Sequence, residues 1–164
     1  MFCNVECTGI LRASYRGGSM KHTINALIAG CCLFISAGAS AAPAMPLSTV
    51  EILKVASKSG AVEDVSDGRE QTKMQHRGPH IKVYVLERGY GGQPTVTFDG
   101  QIIDGVRTPV CNKGEGLVTC DGAGTTVGYV YTFDLGNNQD GWFQFCNTSL
   151  VAPFKRLQTQ LYIR

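Results

Sequence analysis

This chain lacks long apolar runs, helical periodicity and catalytic signatures, and each absence removes a class of protein. The apolar stretch 24–35 is broken by Asn25 and falls short of the roughly 20 residues that a membrane helix needs, so no membrane span is expected in the mature chain. Beyond residue 41 no segment sustains a helical apolar period, which excludes a helix bundle. G-x-S-x-G, H-E-x-x-H and a phosphate-cradling glycine motif are all missing, so neither a nucleophile-elbow hydrolase, a zinc protease nor a P-loop enzyme is indicated. Histidine is scarce at three residues and tryptophan is single, which narrows the choice of catalytic base and of aromatic anchor.

The N-terminal region reads as an address. From Met20, Lys21 supplies a positive charge, 24–35 an apolar segment, and Ala39-Ser40-Ala41 a small-residue cleavage site between Ala41 and Ala42. Residues 20–41 are therefore expected to be a signal peptide, and 1–19, which precede a second methionine, a doubtful upstream extension. A competing label overlaps it: Ile28-Ala29-Gly30-Cys31 resembles a lipobox, which would lipidate Cys31 and anchor the domain. The residues after Cys31 stay apolar where a lipoprotein turns polar, so release is favoured over anchoring, and the expected location is secreted or periplasmic.

Cleavage changes the composition. Arg12, Arg16 and Lys21 leave the 15 basic residues and Glu6 leaves the 13 acidic ones, so the net charge of +2 belongs to the precursor and the mature chain is balanced. Balanced, scattered charge offers no electrostatic footprint for nucleic acid. Of seven cysteines, Cys111, Cys120 and Cys146 remain. Export permits a disulfide. "CNKGEGLVTC" reads as two arms around a glycine turn, which favours Cys111–Cys120 and leaves Cys146 as a free thiol packed in a strand. Pairing of Cys146 with either of the others stays open.

What is present is alternation. "TVEILKVAS" (49–57) is rich in β-formers, and "HIKVYVLERGY" (80–90) sets Ile81, Val83 and Val85 against Lys82, Tyr84 and Leu86. "PTVTFDG" ends in an Asp-Gly hairpin signal. Tyr129, Tyr131 and Phe133 share one face, as do Phe143 and Phe145, and as do Leu157, Leu161 and Ile163. Short strands separated by Gly, Asp and Asn predict an all-β domain over 49–164, a single antiparallel β-sandwich or small barrel. The Ala/Pro leader 42–48 is expected to be flexible, and the polar segment 58–79 to hold one short strand and any mobile surface.

Candidate sites are few. His76 and His80 are weak metal candidates, because the intervening Gly78-Pro79 argues against the helix that would put both on one face. "DLGNNQDGW" reads as a hairpin loop rather than a calcium loop. Trp142 and Tyr162 lie opposite the apolar faces of their strands and are candidates for exposed aromatics that anchor a partner. No catalytic residue and no cofactor is indicated.

The order "STVEILKVAS", "HRGPHIKVYVLERGYGG", "VGYVYTFDL" and "FQFCNTS" resembles a group of small secreted bacterial proteins, the YolA-like family of unknown function. The resemblance spans most of the mature chain, implies export and a compact β-domain, and assigns no site residue. The expected role is a binding or interaction module with an extracellular or envelope partner. The alternatives are a small secreted hydrolase using His76 or His80, and an interbacterial effector or inhibitor. Intact-mass measurement of protein recovered from its host is expected to give a chain beginning at Ala42. A lipid-modified chain beginning at Cys31 would overturn that expectation.

Overall fold

A computed structural model describes residues 44–164 apart from Glu115, Ala123, Asn138 and Gln139. The signal peptide, its cleavage at Ala41 and Ala42, and lipidation at Cys31 lie outside the described residues. The described chain is all-β. Strands β1 (Thr49–Ala56), β2 (Val62–Asp64), β3 (Lys82–Arg88), β6 (Gly105–Lys113), β7 (Gly116–Thr119) and β8 (Thr126–Asp134) form a six-stranded sheet ordered β2-β1-β3-β8-β6-β7. Strands β4 (Thr95–Phe98), β5 (Gln101–Ile102), β9 (Gly141–Thr148) and β10 (Arg156–Ile163) form a four-stranded sheet ordered β10-β9-β4-β5. Every pairing between these strands is antiparallel.

Two-residue alternation explains the packing, because it sends every second side chain to the same face. The larger sheet contributes Val83 and Val85 of β3 with Tyr131 and Phe133 of β8; the smaller contributes Val96 and Phe98 of β4, Phe143 and Phe145 of β9, and Leu161 and Ile163 of β10. Ring pairs join the sheets, with centroids 5.4 Å apart for both Tyr131–Phe145 and Phe133–Phe143. In β1 a register shift between Ile52 and Lys54 lets both Ile52 and Val55 face the core although they are three positions apart. The first half of β6, where Gly105, Val106 and Arg107 are exposed, has too little apolar alternation to read as a strand; its pairing with β8 creates it.

Residues 45–48 run beside the end of β3: Tyr90 N–H donates to Met45 O (2.9 Å), Ser48 N–H donates to Arg88 O (2.9 Å), and Leu47 is buried. Gly89 makes this approach possible, since it has φ +87° and a Cβ there would collide with the carbonyl of Pro46. The polar segment 58–79 is tied into the fold at several points. The Glu63 carboxylate, itself buried, accepts the N–H groups of Lys73 (2.8 Å) and Met74 (2.9 Å) and pairs with Arg69 (2.8 Å). Thr72 and His76 donate their backbone N–H groups to Tyr162 O and Arg164 O, tying the segment to the end of β10.

Phe145 is fully buried, whereas Trp142, on the opposite face of β9, is 40% exposed. Phe145→Ala is expected to lower the unfolding free energy by about 3–5 kcal/mol. Trp142→Ala is expected to cost about 1 kcal/mol, the scale of its ring contact with Tyr162. Equal losses in urea titrations would contradict the face assignment.

Candidate binding cleft at one end of the sandwich

The inward alternation of two strands ends in polar residues. On β3 the buried series Val83, Val85 continues to Glu87, and on β9 the series Phe143, Phe145 continues to Asn147. These two polar ends meet across the gap between the sheets, with Asn147 Nδ2 donating to Glu87 Oε2 at 2.5 Å. Gly91 N–H donates to Glu87 Oε1 at 3.2 Å, and Asn147 Nδ2 also reaches Gly92 O at 3.1 Å. Residue 91 must be glycine for this geometry, since a Cβ there would overlap the Asn147 amide. Burial pushes the Glu87 carboxyl above the ordinary glutamate range, against the opposing hydrogen bonds from Asn147 and Gly91 and the charge of Arg107.

Tyr131 sits beside this contact, paired with Val85 on β3 and with Arg107 on β6. Its side chain is buried, and its hydroxyl has no hydrogen-bond partner among the described residues. Burial pushes its phenol up to about 12, the charge of Glu87 adds to the rise, and Arg107 opposes it. Tyr131 therefore holds its proton at neutral pH. The Arg107 guanidinium lies 4.3 Å from the centre of the Tyr129 ring, and no carboxylate of the described residues lies within 4.0 Å of it. Tyr131 and Arg107 open onto a cleft of about 560 Å³. Gly91–Pro94, Asp104, Gly105 and Leu150 also line it. That volume is in the range of small-molecule sites.

The residues singled out in the sequence are placed elsewhere. His76 is fully buried, with Nε2 3.4 Å from Glu63 Oε2 and Nδ1 unpartnered, while His80 is exposed and bonded through Nδ1 to Asp134 Oδ2 at 2.9 Å. Each histidine thus has its own carboxylate. No group of three or more His, Cys, Asp or Glu able to hold a metal is found among the described residues. Cys111 and Cys120 form a disulfide between β6 and the residue following β7. Cys146 is a half-buried free thiol whose sulfur accepts from Arg156 Nε at 2.7 Å. Trp142 and Tyr162 face each other edge to face at 5.3 Å on the outer side of the smaller sheet.

Arg107 and Tyr131, which line the cleft, and Glu87 and Asn147, which lie behind it, are not among the candidate residues of the sequence. The signal was available: "IKVYVLE" places a carboxylate at the fourth inward position of an apolar face, and "FQFCN" places an amide at the end of another. A carboxyl held above its unfolded value stabilises the fold fully below that value of 4.5, and the contribution is lost as pH rises through the folded value. The stability of the wild type minus that of Glu87→Gln is therefore expected to fall as pH rises above the unfolded value of 4.5. Glu63 and Asp134, both shifted the opposite way, cancel in this difference. A difference that is flat or rises with pH would contradict the burial of Glu87.

Comparison with known proteins places the chain within a family without transferring an activity to it. No curated protein matches the chain, and no solved structure matches it. No helix of the described residues is long and apolar enough to cross a membrane. The family described as a domain of unknown function, DUF4879, matches residues 42–163, and the chain belongs to that family.

Proposed function

We propose that this protein is an exported binding module whose ligand enters the cleft between the two sheets. The observation that carries the reading is the buried, unpartnered hydroxyl of Tyr131, a residue that lines the cleft beside Arg107, which has no carboxylate counter-ion among the described residues. Both groups stand on paired strands, so the site is preorganised. The Cys111–Cys120 disulfide suits an oxidising compartment outside the cytoplasm. The resemblance to YolA-like secreted proteins supports the same location, and its "VYVLERGYG" segment contains Glu87 and Gly91. The partner is then an extracellular or envelope molecule.

A second reading, a small secreted hydrolase, is favoured by one observation. His80 and Asp134 form an exposed pair that shares a cleft with Ser57, Lys58 and Lys82. A nucleophile is not yet in place there, because the Ser57 hydroxyl is bonded to Ser59 Oγ (2.7 Å) and to Ala61 O (3.4 Å).

Thermal-shift screening against small acids, amides, amines and sugars separates the readings. A ligand that stabilises the wild type is expected to bind Arg107→Ala at least about tenfold more weakly and to bind His80→Ala unchanged. Binding lost in Trp142→Ala but kept in Arg107→Ala would move the site to the outer face of the smaller sheet. Turnover of an ester or amide that His80→Ala abolishes would establish the hydrolase instead.

A further inference from the structure

We propose that the cleft receives a single carboxylate carried on an apolar body, with the carboxylate held by Arg107 and the Tyr131 hydroxyl. This inference rests on the cleft being the binding site. It adds the chemical class of the ligand.

Among the residues that line the cleft, Arg107 is the one cation. The Tyr129 ring beneath it restrains the guanidinium plane and leaves its N–H fork unpaired with any carboxylate of the described residues. A planar, two-pronged donor of this kind matches a carboxylate. Tyr131 supplies a further donor. A buried hydroxyl left unpaired is unfavourable, so an acceptor oxygen that reaches Oη on binding recovers that cost. Glu87 does not serve as that acceptor: its oxygens accept from Asn147 and Gly91, and neither is hydrogen-bonded to Tyr131 Oη.

Charge and shape narrow the ligand further. Asp104 lines the cleft and Glu87 lies close to Tyr131, so a second negative charge on the ligand meets repulsion. A monocarboxylate is therefore preferred over a dicarboxylate or a phosphate. The rest of the wall is largely apolar, formed by Pro94, Val96, Ile103, Phe133 and Leu150. It offers an apolar body the area that a bare carboxylate cannot use, so affinity is expected to rise with each methylene buried.

The test titrates the exported chain with hexanoate, with the isosteric but uncharged hexanamide, with acetate and with inorganic phosphate, following backbone amide resonances. Hexanoate is expected to shift Gly91, Gly92, Gly105 and Arg107 saturably. Hexanamide and acetate are each expected to bind at least about tenfold more weakly, and phosphate to leave these resonances unmoved. Tyr131→Phe keeps the ring and removes the hydroxyl; it is expected to weaken hexanoate about tenfold. Arg107→Gln is expected to erase the preference for hexanoate over hexanamide, whereas Arg156→Gln, which removes the same charge from the smaller sheet, is expected to retain it. Equal binding of hexanoate and hexanamide in the cleft would overturn the carboxylate assignment and leave the cleft as the site. Preferential binding of phosphate there would overturn the single-charge assignment. If neither hexanoate nor hexanamide moves the cleft resonances, the carboxylate assignment fails; if the ligand found by screening shifts another surface, the cleft reading fails too.

Discussion

The contact between Glu87 and Asn147 joins the two sheets at the end where the cleft opens. A carboxylate inside a β-sandwich is unfavourable unless its oxygens are matched by donors. Here the donors come from the opposite sheet, through Asn147, and from the turn after β3, through Gly91. The same amide bonds Gly92 O, so one side chain orders both the strand end and the loop leaving it. That loop forms one wall of the cleft. The position of the wall therefore depends on a hydrogen-bonded polar pair as well as on apolar packing.

This arrangement separates rigidity from recognition. The middle of the sandwich is filled by aromatic and branched side chains from both sheets. Toward the cleft the interior becomes polar, and there the hydroxyl of Tyr131 is left unmatched. An unpaired buried hydroxyl is an exception in native structures, where nearly all buried polar groups have partners. Its ring is held by Phe133 and Phe145, so the hydroxyl keeps its place whether or not an acceptor is present.

A second polar device acts within the polar segment 58–79. Glu63 gathers two backbone N–H groups and the Arg69 guanidinium, and His76 is buried against it. Burial alone would raise the Glu63 carboxyl, but the N–H groups of Lys73 and Met74, together with His76, hold it below the usual range. A segment that composition marks as solvent-exposed loop is in this way fastened to β10. Composition did not reveal this because the donors are backbone groups, which every residue but proline carries.

The sequence by itself determined the β character of the domain, the inward and outward faces of β3, β8, β9 and β10, and the turns between them. All of these follow from a two-residue alternation and from turn chemistry, which are local. It also carried the polar interruptions at Glu87 and Asn147 in plain sight. The tertiary structure alone decided that these two interruptions face each other, that Arg107 stands next to Tyr131, that residues 45–48 run beside Arg88 and Tyr90, and that His76 and His80 take separate carboxylates. Each of those is set by strand order and by the stacking of one sheet on the other. Those are relations between residues as far apart as Glu87 and Asn147, which alternation along a single strand cannot encode.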